Sequence, residues 1–362
     1  MLDPQVDLKE KNIESKNKKA KVILAFIITI VILTLIFFSV LFFSFNKKQN
    51  SLKEIQKQTS LLKIGFLTDW EYGTRRLLGD KMTRKSPSEL SKAVFYLNEE
   101  FHPNIVIGGG DYIESSAVKP ERAREQLEEI NEIFSLIKVP RLYAFGNHDL
   151  RSLSKVEIKE ILGIQESHAI RDIGDWRIII FDTNFTLEGE DRNAENYVIG
   201  GVNQNELNWL REALKTDKPV LVFSHHSPAA SVSNGNRIVI NMTNDKEVRT
   251  ILEEAGNVAA VFSGHTPNSY FERLNGINYF ICDTLVNINA LGSFATIEVE
   301  YIQEDRIAKI TFKQLGNDKH EYYAEWKYGE RAEDYRPDIL NENTVPETEE
   351  EQEKQEEQAR QE

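Results

Sequence analysis

The pattern of apolar and polar positions divides the chain into stretches of different kind. From Val22 to Phe45 there is no charge: VILAFIITIVILTLIFFSVLFFSF. As a helix this run covers roughly 36 Å, enough to cross a hydrocarbon core of about 30 Å. The alternative is a cleaved signal peptide. Against it, the run exceeds an ordinary signal h-region, and Phe42-Phe43-Ser44-Phe45-Asn46 offers no small-x-small cleavage site. The expectation is an uncleaved anchor over 22–45, behind a basic flank at 1–21 and before a polar stretch at 46–61 that reads as a linker or short helix. Lys9, Lys11, Lys16, Lys18, Lys19 and Lys21 precede the span, against Lys47, Lys48, Lys53 and Lys57 after it. This excess favours a single-pass protein of the cell membrane with its large domain outside the cytoplasm.

From Leu62 short apolar runs alternate with amphipathic stretches. Lys63–Leu67, Asn104–Ile107 and Val139–Phe145 read as strands. Ser86-Pro87-Ser88-Glu89 reads as a helix start, with Ser86 as the cap, for a helix to about Phe101. A second helix is predicted over Pro120–Ile137. Strand–helix alternation with short links implies parallel βαβ units. Further on, Ala169–Ile173 and Arg177–Phe181 flank Gly174-Asp175 as a hairpin. Helices at Asn205–Leu214 and Asp245–Ala255 each precede a strand, at Pro219–Phe223 and Val258–Phe262. Antiparallel strands follow around Tyr279–Cys282, Ala295–Tyr301 and Ile307–Phe312. The sum is an α/β sandwich of two mixed β-sheets covered by helices, over 62–329. Residues 330–362 turn polar and acidic and read as a disordered tail.

Composition changes this picture little. The net charge is −14, and eight acidic residues against Lys354 and Arg360 concentrate part of it after Pro346. An acidic chain without a basic face is not built for duplex nucleic acid. Cys282 is the lone cysteine, which excludes an intramolecular disulfide and a cysteine-based zinc site.

The chemistry lies at the ends of the predicted strands. Thr68-Asp69-Trp70-Glu71, Gly109-Gly110-Asp111, Gly146-Asn147-His148-Asp149, Phe223-Ser224-His225-His226 and Phe262-Ser263-Gly264-His265 each follow an apolar run. In open α/β sheets ligands bind beyond the carboxyl ends of strands. Carboxylate, amide and imidazole together suit Mn, Fe or Zn. Any one of these segments is also an ordinary strand-end turn, and His102 and His168 are ordinary histidines. Five such segments in this order are hard to explain as turns alone.

In these motifs the chain resembles the calcineurin-like metallophosphoesterases, whose pattern is Asp-x-His, Gly-Asp, Gly-Asn-His-Asp/Glu, a strand-end His, then Gly-His-x-His. The resemblance spans roughly Leu62 to Phe312. Asp69-Trp70-Glu71-Tyr72-Gly73, Ser154-Lys155 and Glu206-Leu207-Asn208-Trp209-Leu210 make it most similar to the branch with manganese-dependent ADP-ribose/CDP-alcohol diphosphatases. The resemblance implies a four-layer αββα sandwich and two divalent metal ions, Mn first, with Mg, Fe or Zn as alternatives. It implies Asp111, Asn147, His225 and His265 for the second metal, with His226 as rival to His225. For the first metal it leaves Asp69, Glu71 and the bridging Asp111. Glu71 stands where the family has His, and Pro267 stands where the last motif has its second His. Water, Asn268 or Glu114 are candidates to fill that gap. The alternative use of Glu71 is a salt bridge to Arg75 or Arg76. By the same resemblance His148 protonates a leaving group, with Asp149 orienting it.

The expected function is therefore a membrane-anchored metal-dependent phosphoesterase, acting through a metal-activated hydroxide on a phosphodiester or a nucleotide-diphosphate-type compound. Arg75 and Arg76 are candidate phosphate contacts. The partners expected are a small phosphorylated substrate and the membrane; no protein partner is evident. The rival is a weak or inactive family member that binds one metal as a sensor or scaffold, suggested by the departures at Glu71 and Pro267.

Overall fold

The computed structural model describes residues 4–191, 199–229, 231–233 and 237–335. The chain divides into two units, Met1–Thr59 and Ser60–Glu362.

The first unit is described as one helix, α1 (Pro4–Gln58), which continues as far as residue 58 of the stretch read as a linker or short helix. Its segment Phe26–Gln49 is long and apolar enough to cross a membrane. Large side chains such as Phe42 and Phe43 are exposed along it. That pattern suits lipid and not water.

In the second unit the elements follow in the order β1 (Thr59–Leu67), α2 (Ser86–Tyr96), β2 (Ile105–Gly108), α3 (Pro120–Phe134), β3 (Arg141–Tyr143), α4 (Lys155–Leu162), β4 (Ala169–Ile173), β5 (Trp176–Ile180), α5 (Gln204–Ala213), β6 (Val220–Phe223), the short pair β7 (Ser231–Ser233) and β8 (Arg237–Val239), α6 (Asp245–Ala255), β9 (Val258–Ser263), β10 (Tyr270–Leu274), β11 (Ile277–Ile281), β12 (Phe294–Ile302), β13 (Ile307–Leu315) and β14 (His320–Lys327). One six-stranded sheet has the order β14-β13-β12-β1-β2-β3, the other β10-β11-β9-β6-β5-β4. β1, β2 and β3 run parallel, as do β5, β6, β9 and β11. Their carboxyl ends therefore share an edge within each sheet.

The sheets face each other across an apolar layer that includes Phe66, Ile107, Ile178, Phe223, Phe262, Phe280, Ile297 and Phe312. Phe262 stacks on Phe223 at 4.9 Å and on Phe280 at 5.1 Å. Leu90, Val94, Leu127, Ile130 and Phe134 from α2 and α3 cover the first sheet, and Leu207, Leu210, Val248 and Ile251 from α5 and α6 cover the second. This is the expected four-layer αββα sandwich.

Local differences have local causes. Ser86 is the first residue of α2 and not its cap; Lys85 holds the cap position without a side-chain bond. The helix then ends in a π-turn over Leu97–Phe101, close to the expected end. Helix α4 was absent from the sequence reading because it is only eight residues long, although Ser154 and Glu157 form a capping box at its start. β10 and β14 also went unread. Nor does the fold stop at residue 329: Arg273 and Tyr335 exchange backbone hydrogen bonds of 2.8 and 2.9 Å. The Glu-rich part of the tail, from residue 336, lies outside the described residues.

Candidate metal centre

The site is assembled where the parallel strands end. Asp69 follows β1, Asp111 follows β2, Asn147 and His148 follow β3, His225 follows β6, and His265 follows β9. Backbone bonds join adjacent loops: Asp69 N–H donates to Gly110 O at 2.9 Å and Glu71 N–H to Asp111 O at 2.8 Å. Further contacts join the loops of one sheet to those of the other. His265 N–H donates to Asp69 Oδ2 at 3.0 Å, and His225 Nδ1 meets Gly109 O at 2.9 Å.

Close approach sets the backbone here. Asp69, Glu71, Asp111 and His265 all have positive φ, at 52°, 41°, 54° and 68°. Such conformations cost a non-glycine residue about 1 kcal/mol or more, and they cluster at functional sites. A Cβ on Gly264 would lie 2.0 Å from Thr68 Oγ1, and one on Gly146 would lie 2.0 Å from Asp111 Oδ1. Only glycine lets these loops meet.

Asp111, Asn147, His225 and His265 converge. His225 Nε2 is 3.2 Å from Asp111 Oδ2 and 3.2 Å from Asn147 Oδ1. His265 Nδ1 is 3.1 Å from Asn147 Oδ1. The Gly109 carbonyl takes the Nδ1 proton of His225, so that once Nε2 is deprotonated its lone pair faces Asp111 and Asn147. Ligating histidines are commonly fixed in this way. Burial alone would lower the His225 imidazole, but Asp111 outweighs it and holds the ring up at about 9. Burial alone would raise the Asp111 carboxyl; His225 and His148 hold it well below the usual carboxylate range. Burial raises the Asp69 carboxyl, with His225 opposing and Asp111 adding to the rise. One carboxylate, one amide oxygen and two imidazoles, buried except for the half-buried His265, fit a divalent ion. His226 lies beside them, with Nδ1 2.8 Å from Thr183 Oγ1. It groups with His225 and His265, and neither it nor His265 shares a group with Asp111.

The residues expected at the first position do not all meet. Among the described residues, potential ligand atoms within 4.8 Å of one another form three groups: Asp69–Asp111–His225, His225–His226–His265, and Glu71–Glu114–His148. No such group holds Asp69 and Asp111 together with Glu71. The partner of Glu71 is neither Arg75 nor Arg76, which are exposed, but Lys81, whose Nζ lies 2.5 Å from Glu71 Oε1. Burial pushes the Glu71 carboxyl up to about 7, while Lys81 and His148 pull it down.

His148 Nε2 points between the two carboxylates, 3.9 Å from Glu71 Oε1 and 3.9 Å from Asp111 Oδ2. Its other nitrogen, Nδ1, is 2.6 Å from Glu114 Oε2 and 3.0 Å from Arg151 Nη1. Burial and Arg151 would lower the imidazole, but Glu114 and Asp111 raise it to about 10. Glu114, a candidate to fill the gap at Pro267, is engaged here instead. Asp149 does not orient His148. Its Oδ1 accepts from Tyr112 N at 2.7 Å and Ile113 N at 3.2 Å, and its Oδ2 from Asp111 N and Gly146 N, both at 3.0 Å.

The calcineurin-like phosphoesterase family model matches residues 62–269, more than half of the chain. The chain belongs to the calcineurin-like phosphoesterases. As a member it is a metal-dependent phosphoric ester hydrolase. It is similar to a protein of Fibrobacter succinogenes described as a probable cyclic nucleotide phosphodiesterase, with 27% identity over 213 residues, 58% of this chain and 73% of the relative. In structure it is similar to a dimetal phosphatase from Danio rerio, with a TM-score of 0.58, 16% identity, and 74% of this chain matched to 99% of that one. At that identity the likeness concerns the fold.

Against the calcineurin-like pattern, the sequence reading missed Lys81 and Arg151. Arg151 carried a signal: it follows His148 by three residues and shares its turn. Lys81 carried none, because it sits in an irregular loop ten residues after Glu71.

Proposed function

We propose that this protein is a membrane-anchored, metal-dependent phosphodiesterase whose divalent ion is held by Asp111, Asn147, His225 and His265. The observation that carries the reading is the convergence of these four side chains from separate strand ends, with Asn147 Oδ1 3.2 Å from His225 Nε2 and 3.1 Å from His265 Nδ1. The mixed oxygen and nitrogen donors suit Mn, with Mg, Fe and Zn as alternatives. Once bound, a divalent ion supplies Lewis acidity to a phosphate oxygen and to the attacking water.

The chain's own groups position and protonate. His148 directs Nε2 to the space between Glu71 and Asp111, where a leaving oxygen would take its proton. Glu114, on the opposite ring nitrogen, fixes the imidazole and favours its charged form. Asp149 holds the loop that carries Asp111. The relative from Fibrobacter succinogenes favours a phosphodiester, such as a cyclic nucleotide, as the substrate. A nucleotide-diphosphate-type compound is the second choice, from the resemblance to the ADP-ribose/CDP-alcohol diphosphatases. The segment Phe26–Gln49 supports the anchor, and the lysine excess before it supports an extracytoplasmic domain.

Asn147→Ala and His265→Ala each delete a ligand. Both should lose bound Mn and lose hydrolysis of bis(p-nitrophenyl) phosphate. Full activity in either variant contradicts the assignment.

A further inference from the structure

Glu71 and Lys81 disagree with a two-metal centre. Glu71 is fully buried at the position of a first-metal ligand, yet its carboxylate is taken up by a cation of the chain itself. The cation it meets is the Lys81 ammonium, at 2.5 Å. The backbone that carries Lys81 is tied on two sides. It exchanges two hydrogen bonds of 2.9 Å with Leu78 and bridges to Asn287. The next residue, Met82, donates to Val286 O at 2.8 Å. The Lys81 side chain remains 24% exposed, against 1% for that of Glu71. Arg151 stands behind His148 in the same cluster. A second divalent ion here would face two fixed side-chain cations, and Pro267 offers it no ligand where a histidine would be needed.

We propose that Lys81 takes the place of a first metal ion: its ammonium, docked on Glu71, binds a substrate phosphate oxygen beside a single divalent ion, making this a one-metal phosphodiesterase. The proposal rests on the four-ligand site above. An ammonium on a buried carboxylate can supply a fixed positive charge to a phosphate without reorganisation. It also removes the need for imidazole at positions 71 and 267, which accounts for both departures at once.

The test is a metal count on the full-length protein in detergent micelles, stripped and titrated with Mn. The expected result is one Mn per chain, with the six-line paramagnetic resonance spectrum of an isolated ion. Lys81→Met should keep that ion and lose about 100-fold in hydrolysis of bis(p-nitrophenyl) phosphate, the scale for removing one fixed charge donor. Lys81→Arg should recover most of the loss. Two spin-coupled Mn ions in the wild type, or a Lys81→Met variant of wild-type activity, overturns the proposal. No bound Mn in the wild type would instead overturn the four-ligand site on which it rests.

Discussion

Asp149 gives the sharpest test of how the centre is built. Its two oxygens accept four backbone N–H groups, from Asp111, Tyr112, Ile113 and Gly146. Asp149→Ala leaves four buried donors without an acceptor, each worth about 1–3 kcal/mol. Water entering the vacated space brings the cost towards the lower limit, about 4 kcal/mol in all. Removing a fully buried carboxylate also returns part of its own desolvation cost, which leaves a net loss of about 3 kcal/mol. With a urea slope of about 3 kcal/mol per molar for a domain of this size, the midpoint should fall by about 1 M. Asp149→Asn should be little better. Its remaining oxygen can serve Tyr112 and Ile113, but its NH2 group meets the N–H donors of Asp111 and Gly146. Urea unfolding followed by tryptophan fluorescence reads the change, helped by the buried Trp70 and Trp176. Glu114→Gln is the contrast, because Glu114 holds His148. It should lower activity and the acidity range of the His148 step with a smaller change in midpoint. An Asp149→Asn protein with a wild-type midpoint and only its activity lost would refute this reasoning and restore Asp149 as the partner of His148.

Three further outcomes are expected. Gly146→Ala places a methyl group 2.0 Å from Asp111 Oδ1 and 2.2 Å from Asp111 N, so it should cost about 3 kcal/mol and weaken Mn binding; unfolding and metal titration check both, and an unchanged protein would contradict the packing. His225, held up at about 9, is protonated at neutral pH without metal, so Mn must displace a proton: affinity should rise about tenfold per pH unit from 7 towards 9 and then level off, and calorimetry in buffers of different ionisation heat should report about one proton released. In intact cells the catalytic unit should be open to external protease, and protection until lysis would reverse the proposed orientation.

Much of this protein is legible in its sequence, because the signals are local. A run of 24 uncharged residues can be read by counting. The buried parallel strands appear as short apolar runs, and the Gly-rich strand ends mark where backbones must approach closely. Asp111, Asn147, His225 and His265 could be proposed as ligands because each belongs to a short motif at such an end. Helix α4 was harder to read, since eight residues give too few turns for a periodic pattern.

What tertiary structure decided is which charge faces which. Asp149 lies next to His148 in the chain, but the turn sends its carboxylate into the backbone amides of the Asp111 loop. Glu114, 34 residues before His148, becomes its partner. Glu71 and Lys81 meet because the loop between them is pinned to the segment around Val286 and Asn287, more than 200 residues away. Ion pairing depends on distance in space, and no periodicity or motif encodes a distance set by a loop folding back on a remote strand end. The sequence could determine which residues are able to bind a metal; only the folded chain determines where their compensating charges lie.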